Sequence, residues 1–568
     1  MRCAPAFAAL LFALAAACTP RGVSTAPTAA GSFEVVIENG RVIDGTGAAW
    51  YYGDVAVGRD RIAAIGPRGA FRTARAAQRI DATGHVVAPG FIDIQAQSYR
   101  NFMLGDGRAL SMVTQGITTA ILGEGDTPAP VNRNILALET DSANRVMLQR
   151  FTGPRGFGDW LAFMIGRGAS QNLGSFLGNG TVRVYGKGGA MGPSTAAELD
   201  TMRAMVRRAM EDGAFGIGSA LIYPPNTYAS TEELIEVNRA AAPYGGVYIT
   251  HMRSEGDKFL EALDEAIRIG REAGVPVEIY HLKASGLRNW PKMPLAIAKI
   301  DSARAAGQDV QADMYLYPAG GNSFASCIPP KYAADGKLLD NLRNPALRAT
   351  IVAEMHATDA GYENLCEIAT PANVMVMGFK KPEYRQFHGK HLSEIAAALG
   401  KDWAEVIIDL NVEENAQLGE ILFLMSEDNI RLQLRQPWIK FGTDAGSADP
   451  ATAVGLTHPR TYGNFPRLLG RYVRQERVIP LEDAVRKASA AVAARLSLTD
   501  RGALKAGLKA DIVVFDPNTI IDNATFDRPH QLSTGVRDVL VNGVAVLRNG
   551  QHTGAKPGQV VRGPGYRP

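Results

Sequence analysis

Two histidines and one aspartate close three short apolar runs of the chain. The runs read VYITHMR, VEIYHLKAS and WIKFGTDAG, and they place His251, His281 and Asp444 after β-branched and aromatic residues. If these runs are parallel strands, their carboxyl ends converge on one face, where the three side chains meet. Two neutral imidazoles and a carboxylate gathered there can bind a metal ion and move protons during a hydrolysis. These three residues are therefore the candidate reaction centre.

Eight apolar segments along the chain are suited to buried parallel strands. Helical patterns separate several of them: Thr195 with Glu198 makes a capping box, Ser230 with Glu233 begins a second helix, and a third helix ends near Gly274. Regular alternation of strands and helices implies a parallel sheet, and eight strands predict a closed (β/α)8 TIM barrel of the α/β class. The eight segments are residues 90–97, 118–125, 181–186, 215–222, 246–252, 276–282, 309–317 and 438–445.

Short alternating segments at both ends of the chain differ from this central pattern. FEVVIENGRVID, DVAVGRDRIAAIG and QRIDATGHVVAP lie near the start, and ADIVVFDP and VRDVLVNGVAVLRNG lie in the tail. Asn-Gly and other glycine-rich turns join them, which is typical of strands in hairpins. We predict that residues 34–88 and 500–564 fold together as one small β-sandwich beside the barrel.

Residues 318–437 interrupt the barrel domain, which we place at 89–499. The stretch between Tyr317 and Trp438, about 120 residues, is too long for a simple loop. It carries helical patterns of its own, HLSEIAAALG and WAEVIIDLNV. We therefore predict an inserted subdomain that could cover the barrel mouth.

Composition limits the class of protein. A chain of 568 residues with 46% hydrophobic content can bury a large core and holds more than one domain. A formal net charge of +3 gives no basis for nucleic-acid binding. After the first residues, no segment is long and apolar enough to span a membrane.

The first residues have the pattern of an export signal. Arg2 precedes the apolar stretch APAFAALLFALAAA, which ends at Cys18 and is followed by a Ser/Thr/Ala-rich segment. We interpret residues 1–18 as a signal peptide and 19–33 as a linker. LAAAC resembles a bacterial lipoprotein cleavage site, which would leave Cys18 as the lipidated first residue; the alternative is ordinary cleavage near Ala17. Either reading predicts export to the periplasm, and the first adds a lipid anchor to a membrane.

Two further cysteines lie in the predicted insertion. Export would place the fold in an oxidising compartment, where Cys327 and Cys366 could pair as a disulfide. Neither residue has metal-ligand spacing, so we expect a structural role for both.

A family resemblance covers nearly the whole chain after residue 34. The order ENGRVIDGTG, APGFID, VTQGITTAILG, YITHMRSEG, YHLKASG, GTDAG, HPRTYGNFPRLLGRYVR and KADIVVFDP resembles the amidohydrolase superfamily, and within it the N-acyl-D-amino-acid deacylases, or D-aminoacylases. THMRSE, HLKASG and HPRxYGxFPR taken in order are the most specific part. The resemblance implies a metal-dependent hydrolase that cleaves the amide bond of N-acyl-D-amino acids or related small D-configured peptides.

The resemblance also implies roles for individual residues. His251 and His281 match histidines that bind zinc, and Asp444 matches an aspartate that acts as general base and then general acid. Three further residues would hold the substrate carboxylate, since a guanidinium fork suits a planar carboxylate and an ammonium adds charge. They are Lys283, Tyr315 and Arg460.

The chain departs from the family pattern on its first two strands. Gln95 and Gln97 stand where a His-x-His pair is usual, and a carboxamide is a poor zinc ligand beside imidazole. The second strand reads ILGEGD and lacks the usual cysteine; Glu124 is the nearest anionic substitute, and Asp126 is the other candidate. Glu124 with the two histidines makes a chemically sound site for one zinc ion per chain, and we expect no dinuclear centre.

Two other functions stay open at this point. Cyclic amide hydrolysis, as in dihydroorotases or hydantoinases, is disfavoured because those enzymes mostly use two metals. Loss of the first-strand histidines and of the thiolate could instead mark a metal-free periplasmic ligand-binding relative that has lost catalysis. A measurement of bound metal distinguishes the metal-free relative from the two enzymes. Assays with acyl amino acids and with cyclic imides distinguish the two enzymes from each other.

Overall fold

The structure of the protein is a computed structural model that describes residues 32–358 and 361–568. The predicted signal peptide with Cys18, and the linker as far as residue 31, lie outside the described residues. Eight barrel strands follow one another along the described chain, the third of them in two pieces. They are Phe91–Asp93, Ile117–Leu122, Asn172–Ser175 with Leu177–Gly178, Gly216–Ala220, Val247–His251, Val277–Ile279, Val310–Met314 and Ile439–Phe441.

Neighbouring barrel strands pair in parallel. The first strand pairs with the second and the second with the third, and a continuous ladder runs from the second piece of the third strand to the eighth. The barrel closes where the eighth strand meets the first. There Asp444 donates its backbone N–H to the Gln95 carbonyl oxygen at 2.7 Å, and Gln97 donates to the Ala445 carbonyl oxygen at 3.0 Å. The predicted α/β barrel is confirmed.

The predicted strand at residues 181–186 is wrong, because this segment belongs to the helix Asn179–Lys187. Its valines favour a strand, but intrinsic propensity is a weak guide where tertiary packing buries a segment on every side. All residues from 179 to 184 are buried in this helix. The third strand lies just before it and contains Gly174, where an added Cβ would lie 2.6 Å from the Phe215 ring. Because this glycine interrupts the apolar run, the sequence pattern did not predict the strand.

Helices cover the outside of the barrel, and their apolar faces pack on the strands in the main core. The capping box of Thr195 and Glu198 is confirmed, as is the start of the next helix, where Ser230 accepts from the Glu233 backbone N–H. No helix in the described ranges is long and apolar enough to cross a membrane. The barrel helices are Tyr99–Met103, Leu110–Val113, Arg133–Leu138, Ser142–Leu148, Gly156–Gly166, Asn179–Lys187, Ala196–Asp212, Thr231–Arg239, Phe259–Ala273, Met293–Ala305, Glu427–Leu434, Arg460–Arg467, the π-helical Leu468–Gln475, Leu481–Ala488 and Ala490–Arg495.

Strands from both ends of the chain join in one nine-stranded sheet beside the barrel. Its carboxyl-terminal strand Ile512–Phe515 runs antiparallel to the amino-terminal strand Val86–Pro89. Both ends therefore build one β domain, as predicted. The order of the sheet is Gln551–His552, Val544–Arg548, Val536–Val541, Ile512–Phe515, Val86–Pro89, Ser32–Val42, Tyr51–Gly58 and Arg61–Pro67, with Arg75–Asp81 also paired to Ser32–Val42.

The segment between the seventh and eighth barrel strands forms a subdomain with a core of its own. The predicted disulfide between Cys327 and Cys366 is confirmed and lies inside this core. Leu365, Met377 and Leu422 of the subdomain line a cavity at the barrel mouth. The subdomain contains the antiparallel strands Gly320–Ser323, Gly419–Leu422 and Val374–Met377 and the helices Leu338–Arg343, Pro345–His356, Leu365–Ala369, Leu392–Leu399 and Trp403–Glu413.

Three buried charged side chains meet on the sixth strand, the eighth strand and the last barrel helix. Glu278 Oε1 lies 3.0 Å from Lys440 Nζ, and Glu278 Oε2 lies 2.8 Å from Arg495 Nε. Burial lowers the pKa of Lys440 to about 8, against the attraction of Glu278. One buried carboxylate therefore contacts two buried cations, and Arg495 has a second partner in the more exposed Asp309, at 2.9 Å.

Replacing Glu278 with alanine is expected to lower the free energy of unfolding by about 3–5 kcal/mol, because Lys440 would stay buried without its ion-pair partner and Arg495 would keep only Asp309, at 2.9 Å. Urea unfolding followed by circular dichroism measures this change. Asp264→Ala is the matched control: it removes a more exposed ion pair with Lys299 at 2.8 Å and is expected to cost at most about 1 kcal/mol. Equal losses in the two variants would contradict the role of this ion cluster.

Candidate active site

The residues singled out from the sequence all line one cavity at the carboxyl ends of the barrel strands. The second strand leads into Glu124, the fifth ends at His251 and the sixth leads into His281. The cavity has a volume of about 440 Å³. The barrel thus brings together seven side chains from distant parts of the chain: Glu124, His251, His281, Lys283, Tyr315, Asp444 and Arg460.

Glu124, His251 and His281 form the candidate metal centre. The Glu124 Oε1 atom lies 3.2 Å from His281 Nε2 and 3.4 Å from His251 Nδ1, and one ligand atom from each residue falls within 4.8 Å of the others. Burial raises the pKa of Glu124, but the two histidines hold it well below its usual range, so the group is an anion. Two imidazoles and one carboxylate are a donor set that zinc accepts, with a position left for a further ligand. These residues fit a divalent cation.

Asp126 was the other anionic candidate on the second strand. Among the described residues, the cluster of metal-ligating atoms includes Glu124 and leaves Asp126 out. Asp126 instead lines the cavity wall, where partial removal from water raises the pKa of its carboxyl group to about 6. The geometry therefore favours Glu124 as the ligand.

The first-strand glutamines contact Glu124. Gln95 Nε2 and Gln97 Nε2 donate hydrogen bonds to Glu124 Oε2 at 2.6 and 2.7 Å. Sequence reasoning treated both residues only as lost ligands, because nothing in their local pattern shows that they reach the second strand.

Sequence reasoning missed Glu255, which lies four residues after His251 in the THMRSE motif. Its Oε1 atom lies 2.6 Å from Lys283 Nζ and 3.0 Å from His281 Nδ1, and its Oε2 atom lies 3.6 Å from His251 Nε2. A carboxylate beside the outer nitrogen of a histidine fixes the ring and leaves the other nitrogen free as a ligand. The Lys283 ammonium contacts Glu255 and also lies 2.7 Å from His281 Nδ1, so it does not point to a substrate alone.

The charges of this group shift one another's proton affinity. Burial raises the pKa of Glu255, but His251, Lys283 and His281 together hold it well below its usual range. Burial and Lys283 lower the pKa of His281, whereas the carboxylates of Glu255 and Glu124 raise it to about 10. Two anions thus surround His281, an arrangement that also suits a bound cation.

Asp444, Arg460 and Tyr315 form a second group of side chains in the cavity. Asp444 Oδ2 lies 2.8 Å from Arg460 Nη1, and the guanidinium lies over the Tyr315 ring at 4.4 Å from its centroid. Burial raises the pKa of Asp444, although Arg460 acts in the other direction. Within the described chain, Arg460 Nε and the Tyr315 hydroxyl are buried and have no hydrogen-bond partner. These two donors are available to a carboxylate ligand.

His458, also missed by sequence reasoning, holds Arg460 in place. Its Nδ1 atom accepts the backbone N–H of Arg460 at 3.0 Å, and its Nε2 atom lies 2.8 Å from the Ala319 carbonyl oxygen. The ring thus joins the HPR segment to the start of the inserted subdomain. Its position two residues before Arg460 was the sequence signal available for this role.

The backbone is strained at two of the site residues. His281 has φ of 32° and Asp444 has φ of 47°, a left-handed region that residues other than glycine seldom adopt. The Asp313 carboxylate accepts the His281 backbone N–H at 2.9 Å, and the Asp93 carboxylate accepts the Thr443 backbone N–H at 2.9 Å. Such conformations persist where the surroundings enforce them, and they cluster at functional sites.

Comparison with known proteins points to the same chemistry. The model of the amidohydrolase family matches residues 182–547. A D-aminoacylase of Alcaligenes xylosoxydans xylosoxydans is 33% identical over 530 residues, which cover 93% of this chain and 97% of that protein.

Two solved structures are similar over almost the same length. A crystal structure of D-aminoacylase, described as defining a novel subset of amidohydrolases, has a TM-score of 0.76 and 33% identity and covers 93% of this chain and 100% of its own. The crystal structure of N-acyl-D-glutamate deacylase from Bordetella bronchiseptica, complexed with zinc and a phosphonate that mimics the tetrahedral intermediate, has a TM-score of 0.74 and 30% identity. It covers 94% of this chain and 100% of its own.

Replacing Glu255 with glutamine is expected to weaken zinc binding by about 10- to 100-fold, because His281 loses the anion that orients its ring. Competition with a chromophoric chelator measures the affinity. Asp257→Asn is the control: this carboxylate pairs with the half-exposed Arg288, and we expect no change in zinc affinity. An unchanged affinity in Glu255→Gln would contradict the orienting role.

Proposed function

The chain belongs to the amidohydrolase family, and we propose that it is a zinc-dependent hydrolase that cleaves the amide bond of N-acyl-D-amino acids. One observation carries this proposal: a cation-binding cluster, an acid–base carboxylate and unpaired donors for a carboxylate line the same cavity. The named relatives are deacylases of such substrates, and the structure of one of them contains zinc. Small D-configured peptides present the same amide and carboxylate and belong to the proposed substrate class.

The substrate carboxylate is bound by Arg460 and Tyr315. Arg460 Nε and the Tyr315 hydroxyl are buried donors without a partner among the described residues, and an unpaired buried donor is costly until a ligand satisfies it. Lys283 adds positive charge near this position, since its Nζ atom lies 5.7 Å from the centroid of the Tyr315 ring. This anchor places the amide bond of the substrate between the donors and the metal centre.

Glu124, His251 and His281 hold the zinc ion. When bound, zinc supplies the positive charge that polarises the scissile carbonyl and lowers the pKa of water to roughly 7. Glu255 keeps the ring of His281 oriented from its outer side, at 3.0 Å from Nδ1. The protein's contribution is therefore to hold one carboxylate and two imidazole rings in place for the ion.

Asp444 moves the protons of the reaction. Its carboxylate takes a proton from the attacking water and then delivers it to the amine nitrogen, which cannot leave as an anion. Burial raises its pKa, which favours acceptance of that proton. The contact with Arg460 Nη1 at 2.8 Å orients the carboxylate beside the bound substrate.

Asp444→Asn is expected to lower kcat by about 10²- to 10⁴-fold, because the amide cannot accept the proton of water. Purified protein is assayed with a panel of N-acetyl-D-amino acids and their L enantiomers, and zinc is measured by elemental analysis. Zinc content should stay at the wild-type level in this variant, and its loss would make Asp444 a ligand. Asp428→Asn, at a side chain that is 94% exposed, is the control and should keep full activity.

A zinc-loaded wild-type protein that hydrolyses neither enantiomer would overturn the proposed substrate class. Turnover of cyclic imides by the same preparation would then point to cyclic amide hydrolysis. A wild-type protein that takes up no metal on titration would overturn the hydrolase itself.

We also propose that the chain is exported to the periplasm and lipid-anchored through Cys18. Arg2, the apolar stretch behind it and LAAAC support this proposal, and so does the disulfide of Cys327 and Cys366, a bond typical of oxidising compartments. Cys18→Ser is expected to move the protein from the membrane to the soluble fraction of a bacterial host. A wild-type protein already soluble in that fraction would contradict the anchor.

A further inference from the structure

Two carboxamides just after the first barrel strand, the buried Gln95 and the half-buried Gln97, have no part in the proposed reaction. Gln95 Nε2 and Gln97 Nε2 both donate to the same atom, Glu124 Oε2, at 2.6 and 2.7 Å. The other oxygen, Glu124 Oε1, faces His281 Nε2 at 3.2 Å and His251 Nδ1 at 3.4 Å. The two oxygens of one carboxylate therefore have two different sets of neighbours.

This division decides what each oxygen can bind. A carboxylate oxygen has about two lone-pair positions, and two short N–H donors occupy those of Oε2. Oε1 remains as the oxygen directed at the histidine nitrogens. A cation at the histidines can use Oε1, whereas a cation at Oε2 would have to displace both amide donors.

The orientation of Gln95 supports the donor role. Its Oε1 atom is buried and has no hydrogen-bond partner among the described residues, so the amide leaves its acceptor unpaired in order to donate to Glu124. The side chain fits a tight cradle, since a Cβ on Gly442 would lie 2.6 Å from the Gln95 Cβ atom. A cation would need the amide oxygen, whereas the amide nitrogen is the atom that faces Glu124.

The backbone on which both glutamines stand is fixed by the closure of the barrel. The Gln95 N–H donates to Asp93 Oδ1 at 3.1 Å, and the Gln95 carbonyl accepts from the Asp444 N–H at 2.7 Å. The Gln97 N–H donates to the Ala445 carbonyl oxygen at 3.0 Å. Both amide groups thus reach Glu124 from rigid strand ends, which is how precise positioning is achieved.

We infer that Gln95 and Gln97 are positioning residues that turn Glu124 Oε1 toward the histidines and restrict the site to one divalent cation. The inference rests on the proposed function, because it requires that the site binds a metal. Beyond the proposed function, this inference gives the two glutamines a role: their amide groups donate hydrogen bonds to Glu124 where a second cation would otherwise bind. Metal binding, not turnover, is the property that tests it.

The first experiment measures stoichiometry. Wild-type protein is stripped with chelator, titrated with Zn²⁺ in a calorimeter, and analysed for bound metal after dialysis. We expect one ion per chain for the wild type and two for the double variant Gln95→His/Gln97→His, since imidazoles supply the lone pairs that the amide nitrogens lack. A double variant that folds, shown by circular dichroism, and still binds one ion would overturn the restriction to one ion.

The second experiment measures affinity and does not depend on the double variant. Gln97→Met removes one donor at a half-buried position that faces the cavity, and we expect Zn²⁺ to bind about 10- to 100-fold more weakly. Gln171→Met is the matched control, because Gln171 is a buried glutamine whose Nε2 donates to the Ile117 carbonyl oxygen, away from the site. Its zinc affinity should equal that of the wild type, even if its stability falls.

The outcomes separate this inference from the proposed function. A wild-type protein that binds no zinc overturns the proposed function. A wild-type protein that binds one zinc ion, with Gln97→Met unchanged in affinity, overturns the positioning role alone. A wild-type protein that binds two ions with similar affinity also overturns it, because the amide donors would then not exclude the second cation.

Discussion

Closure of the barrel between its first and eighth strands is the constraint on which the site depends. The Asp444 N–H and the Gln95 carbonyl join the two strand ends at 2.7 Å, and the Asp93 carboxylate accepts the Thr443 N–H at 2.9 Å. This closure brings the candidate proton carrier next to the glutamines that contact Glu124. It also holds Asp444 at φ of 47°, a conformation that its own residue type does not favour.

The second requirement is a balance of buried charge. Burying a charge is costly unless a partner compensates it, and two ion pairs in the cavity meet this condition. Glu255 lies against Lys283 at 2.6 Å, and Asp444 lies against Arg460 at 2.8 Å. Glu124 instead receives two neutral amide donors and faces two imidazoles. Glu124 forms no ion pair with a lysine or arginine among the described residues, and a divalent ion bound at the histidines would place a fixed positive charge beside it.

Each part of the chain contributes a different function to the cavity. The ends of the barrel strands lead into the candidate metal ligands and Asp444, and the HPR segment after the eighth strand contains Arg460. His458 connects that segment to the start of the inserted subdomain through the Ala319 carbonyl oxygen at 2.8 Å. The subdomain supplies apolar wall residues such as Leu365 and Leu422. The core of the subdomain also includes Tyr315 and Tyr317, which follow the seventh barrel strand, so the subdomain packs directly against the candidate site.

The sequence by itself determined the features that depend on local pattern. Alternation of strands and helices predicted the barrel, hairpin signals at both ends predicted the joined β domain, and strand-end positions singled out His251, His281 and Asp444. Helix boundaries marked by a capping box or by glycine were also predicted, because capping is a contact between neighbours in the chain. The resemblance to a known family added Arg460, Tyr315 and Lys283.

Only the tertiary structure decided the rest. Residues 181–186 form a helix because packing on every side outweighs the strand propensity of a short β-branched run. The donor role of Gln95 and Gln97, the pairing of Lys283 with Glu255, and the support of Arg460 by His458 are hydrogen bonds and ion pairs set by side-chain orientation. The spacing of hydrophobic residues along the sequence indicates which side of a helix or strand is buried. It does not indicate which polar atoms come into contact once the barrel closes. For that physical reason the sequence placed the reactive residues at one end of the barrel, and the fold alone determined their partners.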